Sequence, residues 1–515
     1  MAALIPDLAA RTVILMAAES RKWENISCYF RERTDAPDTP CIDDRTWDDL
    51  DMDDVFLKLD RTRSSVGQAA LYDMLRRPLF DGEERAARLR QILGLVAQPA
   101  QCRSLRRVLA RLGVQRLGEI YKFLSARRSG IPDRRRYVYL ALSILAVLSI
   151  GAPFVLGIPG LLILAASAVT NLVIHYRFKA TVAVESPSYE YLHRVLAAGM
   201  KLSRLSIPVL SAELRALRDL SAALGKLRRR TALLITPSGV SGDIVSMLLE
   251  YVRQFFLQEV TTYFFVHNEI IKRMADLSRV YGLVGGVDAL QAAAAMRQDL
   301  SGIATPETAE IFEAENLVHP LLKKPVPNSL RMEKTGVVVT GSNMSGKSTF
   351  LRTMGVNQIL SGTLCMAFAR RMQGPAFFTI TSITNRDNIM ASESHYLVEA
   401  RRLLDILEAA RGTQPALVII DEILSGTNSE ERIAASTSIL RYMAGLNCRV
   451  VAATHDRAIA ANLEGICGNV HFTHRVEDEG LQFDYKLREG IVESGNAIKL
   501  LRLLGYPAEV LEGLG

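Results

Sequence analysis

The sequence predicts an α + α/β fold, in which an all-helical region with an inserted transmembrane helical hairpin is followed by an α/β domain. Three observations support this prediction. Residues 137–176 contain no Asp, Glu, Lys or Arg. The regions on either side combine apolar residues with regularly spaced charges, as amphipathic helices do. From about residue 317 onward, short β-type runs at 337–340, 377–380, 416–420 and 450–453 alternate with helical ones, which is typical of a parallel sheet.

The size and composition of the chain limit the number of domains and the kinds of partner it can have. Its 515 residues leave room for roughly two to four domains of about 150 residues each. The formal net charge of +7 favours acidic surfaces, either nucleic acid or anionic lipid, without choosing between them. The six cysteines show neither a CxxC motif nor a zinc-type spacing, so we expect reduced, buried thiols in a cytosolic compartment. The N-terminus has no basic region before its apolar stretch, which argues against a secretory signal.

The uncharged stretch 137–176 predicts a helical hairpin. A spanning helix needs ~20 apolar residues, and this stretch has room for two. It is divided by Gly157-Ile158-Pro159-Gly160, and glycine with proline breaks helices and forms turns. We therefore expect one helix over 137–156, a turn over these four residues, and a returning helix over 161–176.

Basic residues flank the hairpin on both sides and predict its orientation. Because lysine and arginine concentrate on the cytoplasmic side of a membrane, both ends of the hairpin are expected in the cytoplasm. The alternative is a helix pair buried in a soluble domain or an interface, which the polar residues Ser167, Thr170 and Asn171 favour. The flanking basic residues are Arg127, Arg128, Arg134, Arg135 and Arg136 before the hairpin, and Arg177 and Lys179 after it.

The segments around the hairpin differ in charge. Residues 185–230 are expected to form one long amphipathic helix that ends in a basic run. Such a run is usually a solvated helix face, with anionic lipid or DNA phosphate as alternative partners. Residues 35–60 are rich in aspartate, for which solvated surface is the default interpretation. A further helical pattern over 241–298 is interrupted by the glycines around Val284.

Residues 341–348 form a phosphate-binding motif. Their sequence, Gly-Ser-Asn-Met-Ser-Gly-Lys-Ser, fits GxxxxGK[ST] and lies between a predicted strand, 337–340, and a helix that begins near Thr349. The glycines let the backbone wrap phosphates, so that its N–H groups and the helix N-terminus face them. Lys347 adds positive charge at the β- and γ-phosphates, and the Ser348 hydroxyl is placed to bind Mg²⁺.

Two further polar groups follow buried strands, as this chemistry requires. Asp421 and Glu422 end an apolar strand over 416–420, at the carboxyl edge where ligands bind in parallel sheets. Asp421 would complete the Mg²⁺ shell, and Glu422 would act as general base on the attacking water. His455 follows another strand, 450–453, and can sense the γ-phosphate. A lone loop motif arises by chance, but the three features in this order predict an ATPase that uses ATP and Mg²⁺.

The same motifs resemble those of the MutS family. Asn343-Met344 within the phosphate loop is the hallmark of that family's loop, and residues 394–399, Ser-His-Tyr-Leu-Val-Glu, are similar to its signature segment. Ala453-Thr454-His455 matches its histidine loop, and Leu317-Val318-His319-Pro320 resembles the entry to its ATPase domain. Weaker similarity to the family's core and lever helices extends the resemblance to about 45–130 and 181–510.

The resemblance implies a composite nucleotide site. In the family, two ATPase domains meet head to tail, and the signature serine of one, here Ser394, contacts the nucleotide held by the other, so a homodimer is expected. Tyr485 falls where the family often has an aromatic residue near the adenine ring, and a packed strand residue is the alternative. The implied nucleotide-binding residues are Gly341, Asn343, Met344, Ser345, Gly346, Lys347, Ser348, Thr349, Ser394 and Tyr485.

The motifs and the resemblance together predict which residues of this site are catalytic and which bind the metal. Lys347, Glu422 and His455 are the expected catalytic residues, and Ser348 with Asp421 is the expected metal site. Because ATP hydrolysis in such folds depends on positioning and charge stabilisation, every one of these groups is expected at the same edge of the sheet.

The chain also departs from the family's repair proteins. Only about 45 residues precede the core-like segment, so we expect the mismatch-recognition and connector domains to be missing. The hairpin is inserted where the family's levers and clamp would branch. The predicted domains are an N-terminal segment (1–44), the first half of a MutS-like core (45–136), the transmembrane hairpin (137–176), the second half with lever helices (177–305) and an ABC-type P-loop ATPase domain (306–515).

These features together predict a membrane-anchored MutS-like ATPase. It would hydrolyse ATP in a head-to-tail dimer and couple hydrolysis to movement of the lever helices. The expected location is the cytoplasmic (inner) membrane, crossed twice, with both termini and the ATPase domain in the cytoplasm. A DNA-binding clamp of the mismatch-repair or recombination type is the main alternative, and a transporter-type motor is the second. The sequence leaves open whether DNA is a partner.

Overall fold

The computed structural model describes residues 23–33, 40–114, 133–234, 251–333, 335–342, 345–383, 395–424, 428–477 and 480–491. The chain divides into two compact units. The first, here the helical unit, comprises Met1–Asp35, Arg61–Asp73 and Gln91–Ala294. The second, here the α/β unit, comprises Ala36–Asp60, Met74–Arg90 and Ala295–Gly515.

The helical unit is built from helices and short connections. Its helices are Pro99–Leu112, Asp133–Leu156, Ile158–Leu202, Ser211–Ala223, Gly225–Thr231 and Gln258–Lys272, with helical turns also at 23–32 and 251–255. Three further helices begin in one unit and end in the other: Ser65–Arg76, Gly82–Val96 and Met274–Asp299.

The predicted hairpin is present as two helices packed along each other, but its turn is tighter than expected. The second helix begins at Ile158, so that Gly157, with φ of 62°, is the only residue between them. Pro159 does not break the helix, because it lies in the first turn, where a missing N–H costs nothing. A Cβ on Gly160 would lie 2.2 Å from the carbonyl oxygen of Ala152. The absence of a side chain at Gly160 therefore allows the two helices to touch at the turn.

The prediction of one helix over 185–230 is wrong. The helix that leaves the hairpin ends at Leu202, and a 3₁₀ turn, Pro208–Leu210, separates it from the helices Ser211–Ala223 and Gly225–Thr231. Pro208 explains the break, because proline lacks the N–H that a continuing helix needs.

The glycines around Val284 do not interrupt their helix, contrary to expectation. Met274–Asp299 is continuous, and the glycines lie where other backbone or side-chain atoms come close. A Cβ on Gly285 would lie 2.5 Å from the carbonyl oxygen of Val66, and one on Gly282 would lie 2.8 Å from the Tyr29 hydroxyl. The glycines are packing positions, and packing outweighs their low helix propensity.

Gly285→Ala is expected to destabilise the helical unit. The added methyl group meets a backbone atom that cannot rotate away, and overpacking of this kind costs roughly 1–3 kcal/mol. Gly82→Ala is the matched control, because nothing lies within 4 Å of its Cβ position. Thermal unfolding of both purified variants measures the difference. A melting temperature for Gly285→Ala as high as that of the control would contradict the close packing.

The α/β unit contains twelve short strands among its described residues, in three sheets. A six-stranded sheet has the order β12-β11-β5-β10-β9-β8, a four-stranded sheet the order β2-β7-β3-β4, and a pair joins β1 to β6. The strands are β1 Ile303–Ala304, β2 Glu307–Thr308, β3 Phe312–Leu317, β4 Asn328–Met332, β5 Gly336–Thr340, β6 Ala367–Phe368, β7 Arg371–Gly374, β8 Phe378–Ser382, β9 Ala416–Asp421, β10 Cys448–Thr454, β11 Gly468–Glu477 and β12 Gly480–Glu489.

The predicted parallel sheet is confirmed. β5 pairs in parallel with β10, β10 with β9, and β9 with β8, in the four places where apolar runs predict strands. One face of this sheet packs on the helices His395–Ala410 and Ser429–Met443, through a core that includes Val418, Ile420 and Leu440. The remaining helices of the unit are Lys347–Leu364, Arg457–Asn462, Asp44–Asp49 and Met52–Leu59.

The default interpretation of the acidic segment as solvated surface is wrong for part of it. Asp49 is buried, and its carboxylate accepts a hydrogen bond from the Thr381 hydroxyl at 2.7 Å. Asp43 pairs with the buried Arg402 at 2.9 Å. Burial pushes the pKa of Asp43 upward, but its hydrogen bonds with Arg402 and the charge of Arg402 outweigh burial and lower that pKa. This segment is therefore a packed part of the α/β unit.

Candidate nucleotide site

The glycine-rich loop follows the buried strand β5 and leads into the helix Lys347–Leu364. Two of its glycines have left-handed backbone conformations: Gly341 with φ of 150° and Gly346 with φ of 107°. A Cβ on Gly341 would lie 2.9 Å from the carbonyl oxygen of Phe472, so a side chain there is excluded. The loop is shaped by backbone rather than by side chains, as a phosphate cradle requires.

Lys347 lies at the first position of this helix, folded back over the loop. Its ammonium group donates to the carbonyl oxygens of Gly341, at 2.7 Å, and Ser342, at 3.1 Å. Burial lowers the pKa of Lys347, while the negative charges of Asp421 and Glu422 oppose that shift. The ammonium group is thus held next to the loop by weak neutral acceptors. An anionic ligand in the loop would be a stronger partner.

Asp421 ends the strand β9, and the side chain of Ser348 reaches it. The Ser348 hydroxyl donates a hydrogen bond to the Asp421 carboxylate. The pKa of Asp421 is raised because burial disfavours its charged form, although the Ser348 hydrogen bond and the Lys347 charge oppose the shift. A hydroxyl and a carboxylate in contact provide two hard oxygen ligands on one side of the loop, which is what Mg²⁺ prefers.

Glu422 follows directly and has an unusual backbone conformation. Its φ is 54°, in the left-handed region, which costs a non-glycine residue of order 1 kcal/mol. Its N–H donates to the carbonyl oxygen of Ala453 at 3.0 Å, and this bond ties it to the neighbouring strand β10. The backbone turn places Glu422 and Asp421 side by side at the carboxyl edge of the sheet.

His455, at the end of β10, lies beside the Glu422 carboxylate. The His455 Nδ1 and Glu422 Oε1 atoms are 3.4 Å apart, and His455 Nε2 is 3.8 Å from Asp456 Oδ1. Asp456 is fixed in turn by Arg432 at 2.8 Å. The side chains of His455 and Glu422 are 47% and 29% exposed, so both can reach a bound group at the surface of the unit.

A cavity of about 240 Å³ opens on the other side of the glycine-rich loop. Gly346 and Thr349 belong to its wall, and Tyr485 lines it from strand β12. A Cβ on Gly346 would lie 3.2 Å from the Tyr485 ring, and this ring stacks on Phe483 with 5.9 Å between centroids. Tyr485 is therefore a partly exposed strand residue, packed on Phe483, whose ring forms part of the cavity wall.

His319 is the cavity residue that sequence reasoning did not single out. Burial lowers the pKa of His319 to about 4, so its ring is neutral near pH 7. Its Nδ1 accepts a hydrogen bond from the Leu321 N–H at 3.3 Å, which leaves the proton on Nε2. That Nε2 is buried and has no hydrogen-bond partner among the described residues. The only sequence signal was its place in Leu317-Val318-His319-Pro320, quoted for family resemblance.

The structure thus brings most of the predicted site residues to one place. Lys347, Ser348, Asp421, Glu422 and His455 lie at the carboxyl edge of the sheet around the loop, and Thr349 and Tyr485 face the adjoining cavity. Ser345 is buried, and its hydroxyl has no hydrogen-bond partner in the described part of the chain. Asn343, Met344 and Ser394 lie outside the described residues. Their predicted roles, like those of the other site residues, stay predictions.

The sequence of this region matches a known family. Residues 337–513 match the family model described as MutS domain V. The chain is 30% identical to the endonuclease MutS2 of Thermus thermophilus over 232 residues, which are 44% of this chain and 31% of that protein. It is 30% identical to the DNA mismatch repair protein MutS of Aquifex pyrophilus over 258 residues, 48% of this chain and 30% of that protein.

The extent of these matches defines what is shared. The chain spans about a third of the length of the curated relatives it matches, including 33% of the endonuclease MutS2 of Streptococcus suis, to which it is 26% identical. The matched residues include the glycine-rich loop, Asp421, Glu422, His455 and Tyr485, whereas His319 lies before them. Over residues 337–513 the chain therefore contains a domain of the MutS family.

Proposed function

We propose that the chain is a membrane-anchored ATPase that binds ATP with Mg²⁺ at the glycine-rich loop and hydrolyses it. The contact between Ser348 and Asp421, next to the lysine-bearing loop, is the observation that carries this proposal. This contact brings the glycine-rich loop and the acidic end of strand β9, which are distant in sequence, to one place. Together they offer positive charge for the phosphates and oxygen ligands for the metal, as a nucleotide–metal complex needs.

The residues present fit ATP and Mg²⁺ by their own chemistry. Within the described ranges, the buried Ser345 hydroxyl has no hydrogen-bond partner, and the Lys347 ammonium group donates to two backbone carbonyl oxygens. Both can donate to phosphate oxygens. Ser348 and Asp421 would hold the Mg²⁺, which when bound neutralises charge on the phosphates. No group of three or more His, Cys, Asp or Glu side chains suited to a metal occurs among the described residues, so a site completed by phosphate and water fits better than an all-protein one.

The cavity beside the loop would hold the base of the nucleotide. Tyr485 offers an aromatic face, on which a purine ring can stack. The buried Nε2–H of neutral His319, which has no partner in the part of the chain that the structure describes, offers one donor, and a purine ring nitrogen is a suitable acceptor. The cavity and the loop share Gly346 and Thr349, so one ligand can reach both.

The chain's own residues then perform the hydrolysis. Lys347 binds the β- and γ-phosphates and stabilises the charge that develops during phosphoryl transfer. Glu422 accepts a proton from the attacking water. His455, 3.4 Å from the Glu422 carboxylate, orients that carboxylate and contacts the γ-phosphate side of the site. Ser394 would enter from the partner subunit in a head-to-tail homodimer, as the family resemblance implies.

Lys347→Ala is expected to weaken nucleotide binding strongly. Loss of a charged hydrogen-bond donor costs roughly 1.5–3 kcal/mol or more, about 10- to 150-fold in affinity. A fluorescent ATP analogue titrated into the purified full chain with Mg²⁺ measures this. Lys201→Ala, an exposed lysine of the helical unit, is the control, and Lys347→Met keeps the buried stem in case Ala unfolds the loop. Unchanged affinity in both Lys347 variants would defeat the site assignment.

The apolar hairpin supports the membrane part of the proposal. Among the described residues, Tyr137–Leu156 and Ile158–Phe178 are the two helices long and apolar enough to cross a membrane, and only 11% and 22% of their most apolar windows are buried. Large apolar side chains therefore face outward over the whole length of the pair. Burying them in lipid would gain roughly 25 cal/mol per Å². Flotation of the purified chain with vesicles of neutral and anionic lipids tests the anchor.

Coupling of hydrolysis to helix movement is the third part of the proposal. The chain passes between the helical and α/β units within the helices Ser65–Arg76, Gly82–Val96 and Met274–Asp299, so it has continuous connections through which a change at the nucleotide site can act. The helical unit also carries the hairpin. The work would thus be done at the membrane surface, with both termini in the cytoplasm.

A DNA-binding clamp is the second candidate function. It is favoured by the relatives named DNA mismatch repair protein and by the net charge of +7. ATPase rates with and without duplex DNA, over a range of salt concentrations, separate the two candidates. Stimulation by DNA that falls steeply with salt supports the clamp, and stimulation by anionic vesicles supports the membrane ATPase. A transporter-type motor has only two apolar helices per described chain from which to build a path.

A further inference from the structure

We propose that the hairpin enters the bilayer from one face and that its turn stays inside the hydrocarbon, so that it does not emerge on the far side. This inference rests on the proposed membrane anchoring and adds how deeply the hairpin enters the bilayer. The sequence-based prediction of two complete crossings counted every uncharged residue from 137 to 176. The structure shows that the end of this stretch farther from the turn is packed on protein along one side.

Two polar side chains of the hairpin bind the backbone of a neighbouring segment. The Ser143 hydroxyl donates to the carbonyl oxygen of Phe256, and the Asn171 amide donates to that of Phe255, both at 2.7 Å. Ser143 and Asn171 lie at the same distance from the turn along the hairpin axis, here called their height, because each is the same number of residues from Gly157. The segment 251–257 is therefore a collar against the hairpin at that height.

The packing continues below the collar along the helix Gln258–Lys272. The Phe264 ring packs on the rings of Tyr139 and Phe178, with 5.0 Å and 5.5 Å between ring centroids. His175 Nδ1 lies 3.7 Å from Glu259 Oε2. The hairpin residues below Ser143 and Asn171 are thus covered on one side by aromatic and charged groups of the same unit.

Charged groups at this height limit how deeply the unit can enter a membrane. The Glu259 side chain is 32% exposed beside His175, and Arg253 in the collar is also partly exposed. An ionised side chain in the hydrocarbon core of a bilayer is strongly disfavoured. The hydrocarbon region must therefore end between the collar and Glu259.

The free part of the hairpin is then too short to cross. From Gly157 to Ser143, and again to Asn171, the helix is about 21 Å long, and to His175 it is about 27 Å, at 1.5 Å per residue. The hydrocarbon core of a bilayer is about 30 Å thick. Tilt shortens the reach further, so the turn ends within the far leaflet.

The turn itself is suited to hydrocarbon. Phe154, Val155 and Ile158 around it are 90%, 83% and 77% exposed, and the turn has no charged residue. Its backbone is largely satisfied: the Gly157 N–H bonds to the Pro153 carbonyl and the Leu161 N–H to the Gly157 carbonyl. Pro159 has no N–H to satisfy. Few polar backbone groups remain to be hydrated, which is the condition for chain inside a bilayer.

The polar residues of the second hairpin helix are consistent with a hairpin in lipid. Asn171 is buried and donates to the Phe255 carbonyl oxygen, and Ser167 is also buried. Thr170 is exposed, and a threonine hydroxyl in a helix can donate to the carbonyl oxygen four residues earlier. Their presence, which the sequence offers as an argument for a soluble helix pair, is compatible with a lipid-facing surface formed by the other side chains.

Cysteine labelling in bacterial membranes tests the depth. In a Cys41→Ser background, which removes the one native thiol that is not buried, Ile158→Cys is treated with a membrane-impermeant maleimide in spheroplasts and in inverted vesicles. We expect no labelling from either side and full labelling by a lipid-soluble maleimide. Leu57→Cys, an exposed position of the α/β unit, is the control for the cytoplasmic side.

A lengthened hairpin is the control for the far side. Six leucines added to each arm extend it by about 9 Å and should expose Ile158→Cys to the reagent in spheroplasts. Labelling of the unextended Ile158→Cys in spheroplasts would overturn the depth inference alone. A chain that does not sediment with membranes at all would overturn the membrane anchor and the depth inference together.

Discussion

Glu422→Gln is expected to lower ATP turnover by at least 100-fold while ATP and Mg²⁺ still bind. The amide has the shape of the carboxylate but cannot accept the proton of the attacking water, and a general base contributes roughly 10²–10⁴ to the rate. Lys347, Ser348 and Asp421 are untouched, so the variant should accumulate bound ATP. Steady-state phosphate release and binding of a fluorescent ATP analogue, measured on the same preparation, separate the two effects.

The control for this variant is Glu464→Gln, which removes the same charge from an exposed position of the α/β unit. Its turnover should equal that of the unmodified chain. His455→Ala should give a smaller loss than Glu422→Gln, because His455 orients the Glu422 carboxylate from 3.4 Å and does not itself take the proton. Turnover by Glu422→Gln within a few-fold of the unmodified chain would remove Glu422 from the mechanism.

Removal of the hairpin tip is expected to move the chain from the membrane fraction to the soluble fraction. We suggest deleting 147–167 and joining the arms with a short glycine-rich loop, which keeps Ser143 and Asn171 on their carbonyl partners. The deleted residues include Phe154, Val155 and Ile158, and each large apolar side chain that leaves lipid forfeits roughly 1.5–3 kcal/mol. Sedimentation after an alkaline wash, with ATPase measured on each fraction, gives the result.

The ATPase of the truncated chain should stay within about twofold of the full chain, because the site lies wholly in the α/β unit. Deletion of the whole stretch 137–176 is a less clean experiment, since it also strips Phe255 and Phe256 of their partners. Leu57→Asp, which changes an exposed apolar residue outside the hairpin, is the control and should stay with membranes. An unmodified chain that is already soluble, or a truncated one that still sediments, contradicts the anchor.

The sequence was sufficient for the parts of the fold that are governed by local rules. Four apolar runs ending in polar residues predicted β5, β8, β9 and β10 as parallel strands, because such strands are buried on both faces and their ligands lie at one edge. The glycine-rich loop, Asp421 and Glu422 were placed by the same reasoning. The paired hairpin helices followed from an uncharged stretch with a glycine and proline break.

The sequence was insufficient where distant residues decide the outcome. Asp49 looked like solvated surface, since Thr381, more than 300 residues away, is its partner. Gly285 looked like a helix breaker, because the Val66 carbonyl that requires a glycine lies far away in the chain. The cavity that joins His319 to Tyr485 is likewise formed by segments that only the fold brings together.

The helix Ile158–Leu202 has a mechanical consequence. Its 45 residues, with Pro187 in the interior, make one helix about 67 Å long at 1.5 Å per residue, with one end at the hairpin turn and the other among the helices of its own unit. A long helix with one end in lipid and the other among protein helices couples the two environments. A tilt of 5° about its middle shifts each end by about 3 Å, given that length. For the membrane-anchored ATPase proposed above, the thickness and tension of the bilayer would thereby influence ATP hydrolysis.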